Sequence, residues 1–170
     1  IIKSPNNILT DYEIIIWTTT PWTMPGNRAV AYGKDIDYSL LEISSVEESS
    51  LAKLGDKILI ASDLLEDVIS ELFITDYKIS KKLKGSELKD SILAHPLHKY
   101  GYDHDVLLLE ADFVTTDQGT GFVHIAPGHG SDDFELGKKN NLPIPETVSD
   151  NGILDDNLPL LGGLRVLKDN

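Results

Sequence analysis

The chain has 170 residues, 15 Lys plus Arg against 28 Asp plus Glu, and a formal net charge of −13. That length, with 41% hydrophobic residues, supports one substantial core and predicts a single domain over residues 1–170. No apolar run approaches the roughly 18 residues that span a bilayer. The absence of Cys excludes a disulfide frame, a thiolate nucleophile and a cysteine zinc site. It fits a reducing compartment, so the cytoplasm is the expected location, with no membrane partner. An acidic excess argues against broad binding to a phosphate backbone, because that affinity comes from Lys and Arg displacing counterions. A chain that starts at Ile1 and carries no signal segment reads as a piece of a larger protein.

In chain order, YEIIIW (12–17) is a β-branched and aromatic run closed by TTT and Pro21, which predicts a strand running into a loop. Residues 27–32, 36–43 and 57–61 have strand length and are separated by turn residues. Leu64, Leu65, Val68, Ile69, Leu72 and Phe73 fall at helical spacing, which predicts a helix over 62–73 with Ser62 as its N-cap. VLLLEADFV (106–114) predicts a buried strand, and GTGFVHIAP (119–127) a glycine turn, a short strand and a proline stop. Ser131 is expected to cap a second helix running to about Lys139, with acids in its first turn and lysines in its last to complement the dipole. Asn151-Gly152 and Leu161-Gly162-Gly163 predict a final hairpin returning to the sheet. The fold class is α+β, mostly β.

Three segments concentrate chemistry. TTTPWTMPGN (18–27) packs hydroxyls, an amide and two prolines into one loop. Such groups can grip a sugar, an ester carbonyl or a water, and the prolines stiffen the backbone that displays them. The plainer reading is a β-edge threonine run with a buried Trp. HIAPGHGSDDF (124–134) brings two histidines and two aspartates around a Pro-Gly turn. Zinc histidines on a helix stand at i and i+4, a spacing His124 and His129 lack, so no metal is expected there. HPLHKYGYDHD (95–105) has three histidines interrupted by proline and glycine, and reads as solvated surface. GHGSDDF lacks the third glycine of a dinucleotide fingerprint, GSDDFELGKK lacks P-loop spacing, and no G-x-S-x-G elbow occurs. Any hydrolysis therefore uses water directly, without a cofactor.

Taken together, WTTTPWTMPGN (17–27) and GTGFVHIAPGHGSDDF (119–134) closely resemble the two signature segments of the editing, or connective insertion, domain of isoleucyl-tRNA synthetases, in the class I synthetase family. GSELKDSILAHP (85–96) resembles the family's linking segment, so the likeness covers essentially the whole chain. Valyl and leucyl enzymes carry an arginine in place of Thr20 and an acidic residue in place of Trp22, which favours the isoleucyl member; Met24, Gly26 and Ile125 depart from the more usual residues.

The resemblance implies a distorted β-barrel with small flanking helices, excised from a larger synthetase. It implies hydrolysis of valine wrongly esterified to isoleucine tRNA, with isoleucyl-tRNA spared. Nothing resembles the HIGH or KMSKS motifs, so no aminoacylation is expected. By matching positions, Thr18, Thr19, Thr20 and Asp133 would be catalytic. Thr23, Asn27, His124 and Asp133 would bind substrate: the threonine loop and Asn27 the 3'-terminal adenosine and ester, His124 the amino-acid side chain, and Asp133 the α-ammonium. A carboxylate beside helix N-terminal amides stays ionised and can pair with that cation. The implied partners are the 3' end of aminoacylated tRNA and the remaining synthetase domains in cis. The alternative is a non-catalytic module that binds adenosine or the tRNA 3' end.

Overall fold

The computed structural model describes residues 1–167. The fold is α+β and mostly β, with strands β1 (Glu13–Ile14), β2 (Ala29–Tyr32), β3 (Asp37–Val46), β4 (Lys57–Ala61), β5 (Ile74–Lys84), β6 (Ile92–Ala94), β7 (Asp105–Glu110) and β8 (Phe122–Ile125). Two α-helices, α1 (Leu65–Glu71) and α2 (Ser131–Lys139), and several short 3-10 turns complete it. The strands form two open four-stranded sheets, ordered β1-β4-β3-β5 and β6-β7-β2-β8, in place of the closed barrel that the resemblance implied. The chain divides into two compact units: residues 1–17, 31–92 and 108–123, and residues 18–30, 93–107 and 124–170.

The first unit is built on the antiparallel pairs of β3 with β4 and β5, with β1 parallel to β4. β3 and β4 are internal strands, so their apolar runs are buried almost continuously through Leu40, Leu41, Leu59 and Ile60. β5 is an edge strand; its exposed Lys78, Lys82 and Lys84, together with register shifts against β3, discourage pairing with another chain. The strand expected over 12–17 pairs only at Glu13 and Ile14. Ile15 then gives its carbonyl to the Thr120 hydroxyl at 2.6 Å, a side-chain bond in place of a ladder. Tyr38 organises the interior: its hydroxyl accepts the Gly33 N–H and donates to the Gly121 carbonyl, and its ring lies 4.7 Å from that of Phe122. Gly121 is required there, with φ of 78° and only 2.3 Å between an added Cβ and the Ala61 Cβ.

Two helix expectations need correction in detail. The 62–73 segment opens as a 3-10 turn over Ser62–Leu64 before α1, and Ser62 is no cap. Its hydroxyl bonds Ser39 instead, at 2.8 Å. For α2 the N-cap is the extended Gly130 and Ser131 is the first helical residue, without a capping hydrogen bond. The acids and lysines at its ends stand as expected. The strand expected over 106–114 stops at Glu110, where Ala111 enters a tight turn closed by the Val114 N–H. In the second unit the segment after α2 turns back at Asn151-Gly152 as expected, with isolated antiparallel bridges of Val148 with Leu154 and Ile153 with Arg165, but it does not return to either sheet.

Candidate functional site

The threonine loop belongs to the second unit. Thr18 accepts the Thr20 N–H at 3.0 Å, a short turn that starts the loop. Pro21–Gly26 then forms a 3-10 turn, entered through Thr20 and left through Asn27, with Pro21 at a first-turn position that needs no N–H. Thr23 and Asn27 are buried, Thr18 is half-buried, and Thr19 and Thr20 are exposed.

His124, at the end of β8, joins this loop through both ring nitrogens. Nδ1 lies 2.6 Å from Asn27 Nδ2 and Nε2 lies 3.1 Å from Thr23 Oγ1. The amide nitrogen can only donate, so Nδ1 is unprotonated and the ring proton is on Nε2. The Thr23 hydroxyl accepts that proton and donates its own to the Thr20 carbonyl at 2.8 Å. The second amide hydrogen of Asn27 goes to the Ala29 carbonyl, which leaves Asn27 Oδ1 buried without a hydrogen-bond partner. His124 is 8% exposed and Asn27 0%. Burial, reinforced by neighbouring His129, lowers the imidazole pKa to about 4, so the ring is neutral near pH 7.

Asp133 stands in the first turn of α2 and accepts the Ala126 N–H at 2.7 Å, two residues beyond His124. Partial burial raises its pKa from the ordinary carboxylate value, against the lowering effect of that N–H. A cation placed beside it would offset the desolvation. The structure therefore joins Thr20, Thr23, Asn27 and His124 in one network and ties Asp133 to the backbone that follows it; Thr19 is on the surface. An open groove of about 550 Å³ runs beside the α2 start, lined by His129, Phe134, Ile144 and Thr147 among others, but by none of the sequence-predicted site residues.

Sequence reasoning missed the underside of the loop. His95, read as solvated surface, is 0% exposed, and its Nε2 lies 3.0 Å from the Met24 carbonyl. Arg28 and half-buried His104 meet the carbonyl of Asn27 at 2.6 and 2.9 Å. Only His98 of that histidine cluster is exposed as expected. No sequence signal separated these histidines from surface ones, since the same stretch holds the buried Tyr102 and the exposed Tyr100. Among the described residues no group of three or more His, Asp or Glu side chains is placed to hold a metal.

Residues 55–158 match the family described as leucyl-tRNA synthetase, editing domain. The chain belongs to this family of aminoacyl-tRNA synthetase editing domains. It is 45% identical over 170 residues to isoleucine--tRNA ligase of Gluconobacter oxydans, covering 99% of this chain and 18% of that protein. Against isoleucine--tRNA ligase of Pelagibacter ubique it is 46% identical over 162 residues, covering 95% of the chain and 18% of the relative. The chain thus spans about a fifth of the length of these curated relatives. The fold is also that of the P. knowlesi cytosolic leucyl-tRNA synthetase editing domain, with a TM-score of 0.61 at 15% identity over 79% of this chain and 55% of that one.

Proposed function

We propose that residues 1–170 act as one editing domain that hydrolyses valyl-tRNA for isoleucine and spares isoleucyl-tRNA. One observation carries this reading: His124 of one signature segment is bonded through both ring nitrogens to Thr23 and Asn27 of the other. A neutral, doubly held imidazole is a rigid wall, and a hydrolytic site can refuse isoleucine, larger by one methylene, only with a wall. Attraction to one methylene in a hydrophobic pocket is worth about 1 to 3 kcal/mol, too little for accurate translation without a second sieve.

In this reading the threonine loop holds the terminal ribose and ester through Thr18, Thr19 and Thr20. Thr23, Asn27 and His124 shape the pocket, and Asp133 pairs with the α-ammonium. Water adds to the ester carbonyl, the bond to the ribose oxygen breaks, and valine and free tRNA leave. An ester is already activated, so placing the water and stabilising the oxyanion suffice, without a metal, a cofactor or a covalent nucleophile. A chain of net charge −13 grips little of the tRNA body, and the other synthetase domains do so in cis, in the cytoplasm.

The test is release of amino acid from isoleucine tRNA charged with valine or with isoleucine, by the chain alone and by a synthetase that carries it. Fast loss of valine with isoleucine retained is expected. Equal loss of both sinks the sieve, and binding of the 3' end without turnover in either setting makes the domain a binding module.

A further inference from the structure

The threonine loop is poorly able to hold itself. Pro21 and Pro25 have no N–H, and Pro25 lies inside the 3-10 turn, so this short segment lacks two backbone donors. Side chains from elsewhere in the second unit satisfy its last carbonyls. His95 Nε2 meets the Met24 oxygen at 3.0 Å, and Arg28 Nη1 meets those of Pro25 and Asn27 at 3.2 and 2.6 Å; His104 Nε2 lies 2.9 Å from the Asn27 oxygen and 2.8 Å from Arg28 Nη1, so it donates to the first or accepts from the second.

His95 is the member of this clamp whose chemistry is fully dictated. The Leu97 N–H donates to its Nδ1 at 3.0 Å, and a backbone N–H can only donate. The ring proton is therefore on Nε2, where it faces a carbonyl that can only accept. The ring is stacked on Tyr102, with centroids 4.8 Å apart and planes 13° apart, and the Tyr102 hydroxyl is fixed by the Pro159 carbonyl. Burial, opposed by the Met24 carbonyl and reinforced by His104, Arg28 and His124, lowers the His95 pKa to about 4, so the ring is neutral near pH 7. The Met24 oxygen that it holds also accepts the Asn27 N–H at 3.0 Å, and Asn27 in turn holds His124. The path from His95 to the pocket wall thus runs Met24, Asn27, His124 without a gap.

We propose that His95 is a positioning residue for the threonine-loop site, its Nε2–H setting the place of the Met24 carbonyl and, through it, of Asn27 and His124. The kinetic part of this proposal rests on the editing reading; the structural part does not. His95→Phe keeps the stack on Tyr102 and deletes both nitrogens, whereas the amide nitrogen of His95→Gln reaches the Nε2 position. Single-turnover deacylation of valyl-tRNA should fall by about tenfold to a hundredfold in His95→Phe, the scale of a misplaced reacting group, with KM little changed, and recover in His95→Gln. A folded His95→Phe with wild-type turnover, or a loss confined to KM, would overturn the proposal.

A second readout is independent of activity. The Asn27 side-chain amide resonances should move in His95→Phe and return in His95→Gln, and unmoved resonances refute the coupling even if the wild-type chain deacylates nothing. Should His95→Phe fail to fold, histidine nitrogen shifts of the wild type decide. The Nε2–H neutral tautomer at neutral pH is required, and an Nδ1–H tautomer or a cation at His95 refutes it.

Discussion

The two compact units differ in the polar groups they bury: Ser39, Ser91 and Thr120 in the first, but two histidines and an asparagine as well as threonines in the second. Around β3 and β4 the interior is Leu40, Leu41, Leu59 and Ile60, whose packing is non-directional and asks only for volume. The unit that contains the threonine loop buries Thr23, Asn27, His95, His124 and Thr147, each of which needs a hydrogen-bond partner to offset its desolvation. The first interior supplies stability and tolerates substitution by shape. The second supplies geometry and tolerates little, because a buried polar group that loses its partner keeps the desolvation cost. The lone unpartnered atom of the network, Asn27 Oδ1, lies at its centre.

The sharpest way to separate the two interiors is a cavity. Leu59→Ala should lower unfolding free energy by about 2 to 5 kcal/mol, read by denaturant titration. Valyl-tRNA deacylation per folded molecule should stay unchanged. A selective loss of activity at full stability would break the contrast.

Asp133→Asn is the converse. The amide oxygen still accepts the Ala126 N–H, which an alanine would abandon, but the charge for the ammonium is gone. Deacylation should fall by about ten- to a hundred-and-fifty-fold, the worth of a charge-assisted contact of about 1.5 to 3 kcal/mol, with folding kept. Wild-type turnover by a folded Asp133→Asn chain would remove Asp133 from the site.

Acid should expose the polar interior. His95 and His124 have pKa values lowered to about 4 from 6.5, so the unfolded chain binds more protons than the native one between those limits. Their stabilising effect is complete above pH 6.5 and is lost as the pH falls towards 4, at a limiting slope of about 1.4 kcal/mol per pH unit for each histidine. His104 and His129, also lowered by burial, act in the same direction, whereas the raised Asp133 opposes them over the carboxylate range. Unfolding free energy that is flat from pH 6.5 to 4.5 would show these histidines to be solvated. The smallest effect is expected at Ser131→Ala. The cap of α2 is Gly130, and Ser131 makes no capping bond, so stability should change by less than about 0.5 kcal/mol; a loss near 1 kcal/mol would restore Ser131 as a cap.

Much of this protein was determined by its sequence alone. Strand-length apolar runs placed β3 and β4, helical spacing placed α1, and end charges placed α2, because burial and dipole effects act over a few neighbouring residues. The two signature segments identified the family through residue types that need no coordinates. The tertiary structure decided what local pattern cannot carry. It cut the 12–17 run short by offering Thr120 to Ile15, stopped β7 at Glu110, and left two sheets open. It also turned His95 from an apparent surface residue into the support of the threonine loop. A histidine in a polar, proline-broken stretch looks solvated in sequence. Whether it is a wet side chain or a buried, tautomer-fixed donor depends on which distant carbonyl it meets, and Met24 lies 71 residues away.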